Sequence, residues 1–220
     1  MIRGLAHFAL AALAAALPCS AFASQAADNL ICELYRPAGI GVLAECSGPF
    51  TEDGDEIVIA LAGRAPNHVS EIRLTRDGEP KPFQSIAVAV RPVIDPETVG
   101  ILLMDMNFDG HKDLAVMKRL NGEGAGYRYF LYDPATQSFA PNAELEQVAW
   151  PEFDPESKSI QSYFEHPDGR QGHDTWVWRN GKLRNTARRE RVTATNGVCR
   201  VRHYRLKQGD LVPTATTSCP

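Results

Sequence analysis

Short runs of β-branched and aromatic residues recur along the chain and alternate with clusters of Gly, Pro, Asn and Asp. The 3.6-residue period of an amphipathic helix is hard to find, and short runs of this kind between turn-forming residues are typical of antiparallel strands. The pattern therefore predicts an all-β fold of antiparallel strands. The predicted strands cover residues 56–61, 69–75, 83–90, 100–104, 114–117, 127–132, 160–164 and 175–178.

The segments between the runs predict hairpin turns. Asn180-Gly181, between Trp178 and Leu183, is a strong signal for a two-residue hairpin. Residues 94–98, 132–136 and 153–157 share one pattern of an apolar residue, Asp, Pro, any residue and a hydroxyl. In each, the aspartate can cap a turn whose next φ is fixed by proline. The recurrence favours antiparallel hairpins in a propeller-like arrangement, and a sandwich of the same strands is the alternative.

The first residues have a different character. Arg3 precedes an apolar run over residues 5–17, and Ala21-Phe22-Ala23 has the small-x-small pattern of a cleavage site. We therefore predict a signal peptide over residues 1–23 and a single all-β domain over residues 24–220. The apolar run is too short to span a bilayer comfortably, so we expect no membrane insertion and a periplasmic or secreted product.

Four cysteines follow the predicted cleavage site. An even number of cysteines in an oxidising compartment indicates disulfides, and four cysteines allow three pairings. We predict the sequence-local pairing, Cys32 with Cys46 and Cys199 with Cys219. Closure of the two ends of the chain on each other is the alternative.

Charge is distributed unevenly along the chain. Residues 176–210 hold ten Lys and Arg against Glu190 and Asp210, whereas the whole chain has a formal net charge of −4. This basic segment is either a solvated face of the last hairpins or a phosphate- or glycan-binding patch. Because no nucleic-acid-binding module is recognisable, we expect no nucleic-acid partner.

The stretch DMNFDGHKD, residues 105–113, joins two of the apolar runs and places an oxygen-bearing side chain at alternate positions. Calcium takes six to eight oxygen ligands, and Gly110 permits the sharp bend that a loop needs to wrap around the ion. Three carboxylates in an ordinary turn would instead repel one another. We predict a calcium site with these oxygen ligands: Asp105, Asn107, Asp109, the carbonyl of His111, and Asp113.

The predicted loop is not a complete EF-hand. Val116 stands at position twelve, where an EF-hand has a bidentate glutamate, and the flanking segments are predicted strands. A loop without that ligand is expected to bind calcium weakly, at about 10⁻⁴ to 10⁻³ M. The loop's expected role is to stabilise the connection between two strands.

Enzymatic motifs are missing from the sequence. It contains neither the G-x-S-x-G of a serine hydrolase nor the H-E-x-x-H of a zinc peptidase. His166 and His173 lie near Ser162 in sequence, but proximity in sequence does not define a catalytic triad. We therefore expect a protein that is not an enzyme.

Residues 101–183 contain, in order, LLMDMNFDGHKDLAVM, NGEGAGYRYFLYDPATQSF, FDPESKSIQSYF and TWVWRNGKL. This order of calcium loop, glycine-tyrosine loop and repeated hairpins resembles periplasmic immunity proteins that shield bacteria from peptidoglycan-cleaving effectors of killing type IV secretion systems. That family is similar to the periplasmic inhibitors of i-type lysozyme. The first 75 residues and the basic, cysteine-bearing tail have no counterpart in the resemblance.

The resemblance implies a propeller-like fold, a bound calcium and a protruding loop that plugs the cleft of a lysozyme-like enzyme. The calcium ligands would be the five residues given above. The partner-binding loop would comprise Asn121, Gly122, Glu123, Gly124, Gly126 and Tyr127. Members of the family often have Gly-Asn before the tyrosine, whereas this chain has Ala125-Gly126. An ordinary hairpin tip is the other interpretation of this loop.

Two functions from different classes fit these expectations. The first is a calcium-stabilised periplasmic inhibitor, or immunity protein, that acts on a lysozyme-like peptidoglycan hydrolase. The second is a non-enzymatic calcium-binding envelope module that recognises cell-wall glycan or a protein partner.

Overall fold

The computed structural model describes residues 30–51, 53–95, 98–121, 124–193 and 197–219. The predicted signal peptide lies outside this range. The described residues form three antiparallel sheets and one short 3-10 helix. Within each sheet, every strand pairs with the strand that follows it in the chain. The prediction of an all-β fold of antiparallel hairpins is confirmed, whereas the propeller-like arrangement and its sandwich alternative stay predictions.

The strands are numbered in chain order. The first sheet contains β1 (Ile31–Leu34), β2 (Ile40–Pro49), β3 (Glu56–Arg64), β4 (His68–Arg76) and β5 (Gln84–Val90). The second sheet contains β6 (Ile101–Met104), β7 (Asp113–Asn121), β8 (Gly124–Asp133) and β9 (Ser138–Pro141), and the 3-10 helix Leu145–Gln147 follows it. The third sheet contains β10 (Glu152–Asp154), β11 (Ser159–Glu165), β12 (Gln171–Arg179), β13 (Lys182–Thr193), β14 (Cys199–Lys207) and β15 (Asp210–Ser218).

The second sheet is covered on both faces. Along β8, Phe130 and Tyr132 pack into one core with residues of the first sheet, while Tyr129 packs into a second core with residues of the third sheet. Successive side chains of a strand point to opposite faces, so neighbouring residues of β8 serve different cores. The same geometry explains the uninterrupted apolar run Leu114-Ala115-Val116, which follows the first residue of β7 and in which all three residues are fully buried.

Side-chain hydrogen bonds connect the second sheet and its loop to the other two sheets. The side-chain amide of Gln84 in β5 donates to the carbonyl of Phe139 in β9 and accepts from its N–H, both at 2.8 Å. The indole N–H of Trp178 in β12 donates to the carbonyl of Met106 at 3.1 Å. These bonds satisfy polar groups that would otherwise be buried without a partner at the junctions between the sheets.

Two disulfides join residues that are close in sequence. Cys32 in β1 is bonded to Cys46 in β2, and Cys199 at the start of β14 is bonded to Cys219 just after β15. The predicted sequence-local pairing is therefore confirmed. No helix in the described part of the chain is long and apolar enough to cross a bilayer.

The Asp-Pro pattern predicted from the sequence forms the same turn in two hairpins. Asp133 accepts hydrogen bonds from the N–H of Ala135 and the hydroxyl of Thr136, between β8 and β9. Asp154 accepts from the N–H and the hydroxyl of Ser157, between β10 and β11. These bonds hold the pKa of both carboxyls below the usual range. The predicted connection is thus present in two of its three segments, and residues 96 and 97 of the third lie outside the described residues.

Candidate calcium loop and partner hairpin

The acidic loop connects the antiparallel strands β6 and β7, and its side chains bond to its own backbone. Asp105 accepts hydrogen bonds from the N–H of Asp109 at 3.2 Å and from the N–H of Gly110 at 2.8 Å. Asp109 accepts from the N–H of His111 at 2.8 Å and from the side-chain amide of Asn107 at 2.8 Å. The side chains at positions one, three and five of the motif therefore point toward the same side of the loop.

The backbone of this loop is wound tightly. Phe108 has a φ of 62° and Gly110 has a φ of 92°. Positive φ is easy for glycine and uncommon for an aromatic residue. The winding places Met106 fully buried in the core between the second and third sheets, while Asp109 and Gly110 stay exposed. One face of the loop thus anchors it, and the other presents oxygen atoms to solvent.

Asp113 is the first residue of β7 and is fully buried. One carboxylate oxygen accepts a hydrogen bond from the N–H of Met106 and the other accepts from the N–H of Tyr132, each at 2.8 Å. Burial raises the pKa of this carboxyl to about 7; the negative charges of Asp105 and Asp109 add to the shift, and the two N–H donors oppose it. Asp113 therefore ties the loop to β8 in addition to its predicted role as a ligand.

The donor set fits calcium in its chemistry. Asp105, Asn107, Asp109 and Asp113 offer carboxylate and amide oxygens, and a carboxylate oxygen that accepts one N–H bond still has a lone pair for an ion. Nevertheless, no three His, Cys, Asp or Glu side chains in the described residues are grouped closely enough to hold a metal ion. Calcium at this loop stays a prediction. Val116, at position twelve of the motif, is fully buried in the core shared with the first sheet.

The predicted partner loop is the tip of the hairpin formed by β7 and β8. Asn121 pairs with Gly124 in the last described register position, and Gly126 pairs with Arg119. Gly124, Gly126 and Tyr127 therefore lie in β8, so the loop between the strands is shorter than the sequence suggests. Gly122 and Glu123, which belong to the predicted partner loop, lie outside the described residues.

Tyr127 lies near the start of β8 and is half-buried. Its ring packs 6.1 Å from the ring of Tyr129, centroid to centroid, at the margin of the core between the second and third sheets. Burial raises the pKa of its hydroxyl, which therefore stays protonated at neutral pH. This hydroxyl forms no hydrogen bond with any residue that the structure describes, so it is free to bond to a partner.

Glu146 is a residue of this region that the sequence did not indicate. It lies in the 3-10 helix, and its carboxylate contacts Lys118 of β7 at 3.1 Å and Arg128 of β8 at 3.4 Å. One carboxylate thus bridges both strands of the hairpin. Because Lys118 and Glu146 are 28 residues apart, the contact arises from the tertiary fold and no local motif could have signalled it.

The fold and this region together define an all-β protein with an acidic, oxygen-rich loop next to an anchored hairpin. No family model matches the chain, and no curated protein does. The solved structure of a Xanthomonas type IV secretion system related protein is similar, with a TM-score of 0.54 and 19% sequence identity. The match covers 86% of this chain and 94% of the Xanthomonas chain. At this identity, the similarity concerns the fold.

Proposed function

We propose that the protein is a periplasmic immunity protein, stabilised by calcium, that inhibits a lysozyme-like peptidoglycan hydrolase. The observation that carries the proposal is Tyr127, a half-buried tyrosine on an anchored hairpin whose hydroxyl has no partner among the described residues. A rigid aromatic ring with a free hydroxyl is well suited to bind in an enzyme cleft and to hydrogen-bond a catalytic carboxylate.

The surroundings of the hairpin support this role. Glu146 holds β7 and β8 from one side, and the acidic loop abuts the other end of β7. A partner-binding segment that is already ordered loses less conformational entropy when it binds. In this proposal calcium binds the loop through Asp105, Asn107, Asp109, His111 and Asp113, and it fixes the end of β7 from which the hairpin extends.

The fold similarity, the net charge and the disulfides support a periplasmic role against an effector of a type IV secretion system. The structural neighbour is a type IV secretion system related protein of Xanthomonas, which agrees with a role against effectors that such systems deliver. The formal net charge of −4 favours encounter with a cationic partner, and added salt should slow this encounter. Two disulfides suit an oxidising compartment such as the periplasm.

The direct test is a pull-down with the mature chain from periplasmic and secreted fractions, with calcium or with chelator, followed by an inhibition assay. We expect to recover a muramidase and to suppress its hydrolysis of peptidoglycan at near-stoichiometric ratio. Tyr127→Ala should relieve the suppression with an unchanged circular dichroism spectrum, and Tyr127→Phe should relieve part of it.

Tyr35→Phe is the matched control, because it removes a tyrosine hydroxyl from the exposed end of the first sheet. It should inhibit as the wild type does. Recovery of no peptidoglycan hydrolase, or full inhibition by Tyr127→Ala, would overturn the proposal.

A further inference from the structure

The outer surface of the third sheet has a concentration of positive charge. Cross-strand pairing places His173, Arg189 and His203 in one row, and Arg191 and Arg205 lie in the rows on either side. Residues that alternate along a strand share a face, so all five side chains project from the same side of the sheet. We call these five residues the basic face. Four of them are exposed, and His203 is half-buried.

The positive charge of this face is not neutralised within the described part of the chain. There, neither Arg189 nor Arg205 forms an ion pair, and β11 to β14 contribute one carboxylate to this side of the sheet, that of Glu165 at the end of β11. Like charges this close repel one another, so the arrangement costs stability unless an anion binds to it.

The opposite side of the same sheet provides the contrast. The buried carboxylate of Asp174 accepts two hydrogen bonds from the guanidinium of Arg188, at 2.7 and 2.8 Å. The buried carboxylate of Glu190 accepts from Arg170 at 3.1 Å and from the Tyr204 hydroxyl at 3.0 Å. The sheet thus carries its buried carboxylates on one side, where they are paired with arginines, and leaves the cations of the other side open to solvent.

Two adjoining depressions indent the basic face. Their volumes are about 250 and 370 Å³, and His173 and Arg189 line both of them. Tyr163 and Arg191 line the first, while Gln161 and Arg205 line the second. Arginine forks bind carboxylate and phosphate in a bidentate manner, whereas tyrosine, glutamine and histidine side chains can bond to hydroxyl groups. The face therefore combines groups for an anion with groups for a polyol.

We propose that the basic face binds an anionic glycan, in which sugar units carry carboxylate or phosphate groups. Arg189 and Arg191 are two residues apart on β13, so their backbones are separated by about 7 Å along the strand and can meet successive anionic groups of an oligomer. Single-stranded nucleic acid is disfavoured because such sites stack several bases on aromatic rings, whereas each depression is lined by a single tyrosine, Tyr163 in the first and Tyr204 in the second. The hydroxyl of Tyr204 is bonded to Glu190 on the other side of the sheet.

The site is separate from the hairpin of the proposed inhibitor function and can be tested independently. Binding is measured by isothermal titration with four probes: soluble peptidoglycan strands with free peptide carboxylates, phosphorylated core oligosaccharide of lipopolysaccharide, a neutral chito-oligosaccharide of matching length, and a DNA oligonucleotide. We expect one of the two anionic glycans to bind at least about tenfold more tightly than the neutral one. Binding of the peptidoglycan strands would identify carboxylate as the recognised group, and binding of the core oligosaccharide would identify phosphate.

A pair of double variants tests the location of the site. Arg189→Gln with Arg205→Gln should weaken binding at least about tenfold, since both cations are lost. Arg200→Gln with Arg202→Gln removes the same charge from exposed positions on the other side of β14 and should change binding less than about threefold. Tyr127→Ala should leave glycan binding unchanged. The glycan-binding proposal and the inhibitor proposal can therefore be refuted independently of each other.

Four results would overturn the proposal: no binding of either anionic glycan, equal binding of the neutral glycan, tighter binding of DNA, or equal losses in the two double variants. Thermal unfolding of all variants verifies that each is folded under the assay conditions.

Discussion

The carboxylate of Asp113 accepts a hydrogen bond from the backbone N–H of Tyr132 at 2.8 Å and so connects β7 to β8 through a buried side chain. Its second oxygen accepts from Met106 at the same distance. Asp113→Asn replaces one acceptor by an NH₂ group that faces an N–H donor. We expect a loss of about 1 to 3 kcal/mol in the free energy of unfolding, measured with urea in the presence of chelator.

Asp109→Asn is the control for that loss. Asp109 is exposed, and an asparagine there can still accept the hydrogen bond from the N–H of His111. Asp109→Asn should lower the free energy of unfolding clearly less than Asp113→Asn does. Equal effects of the two variants would contradict the structural role assigned to Asp113.

Calcium should raise the melting temperature of the chelated protein. We expect the midpoint to rise over roughly 10⁻⁴ to 10⁻³ M calcium, because the loop has no bidentate glutamate. Asp105→Asn with Asp109→Asn should abolish most of the rise, as it removes two of the predicted ionic ligands. Differential scanning calorimetry with calcium, magnesium and chelator measures the shift.

Asp133→Asn with Asp154→Asn is the matched control for calcium, since it removes the same charge from two other turns. It should retain the response to calcium. If calcium raised the melting temperature of the Asp105 and Asp109 variant as much as that of the wild type, the assignment of calcium to this loop would be refuted.

The two Asp-Pro turns should make stability depend on pH at the acid end. The pKa of Asp133 is held low mainly by the N–H of Ala135, and that of Asp154 mainly by the hydroxyl of Ser157. A carboxyl with a lowered pKa stabilises the fold above about pH 4, and this contribution is lost as the pH falls through the lowered value. At pH 7, the free energy of unfolding of the wild type should therefore exceed that of the variant Asp133→Asn with Asp154→Asn. This difference should disappear as the pH falls toward 2.

Urea unfolding at several pH values measures this difference. Glu152→Gln, at the exposed first residue of β10, is the control and should not reproduce it. If the difference in the free energy of unfolding between the wild type and the double variant stayed constant from pH 7 to pH 2, the charge of the two turn carboxylates would not contribute to stability.

Gly172 lies in β12 and pairs with Glu190 of β13. A Cβ placed on Gly172 would collide with the backbone carbonyl of Arg189, which cannot move independently of the sheet. We expect Gly172→Ala to cost about 1 to 3 kcal/mol in the free energy of unfolding. Gly126→Ala is the control, because the nearest atom to its Cβ would be Lys118 Cε at 3.4 Å, on a flexible side chain. Equal midpoints of urea unfolding for the two variants would refute this explanation.

The sequence predicted the apolar strands well and the polar strands poorly. All eight predicted runs lie mainly within observed strands, because short apolar, β-branched and aromatic runs between turn-forming residues identify segments that are buried in a sheet. β2 was missed, since its two glycines and Pro49 weaken the pattern, and the short strands β1, β9 and β10 were missed as well. β13 and β14 were recognised as a basic segment without strand boundaries, because much of one side of these strands faces solvent, and β15 was missed.

The contacts of the candidate site required the structure. The Asp-Pro turns and the local disulfides were predictable because the interacting residues are close in sequence. The second role of Asp113 depends on Tyr132, 19 residues away, and on burial that no local pattern encodes. The glycines of the predicted partner loop suggested a longer connection, yet backbone pairing with β7 extends β8 to Gly124.

Each of the three sheets is built from strands that follow one another directly, without crossovers. Hairpins of this kind close short loops, which lowers the entropic barrier to forming them and is associated with fast folding. A growing or translocating polypeptide can therefore complete one sheet before the next has emerged. In such an order of assembly the third sheet would pack last, against Ala115 and Tyr129 of the second sheet.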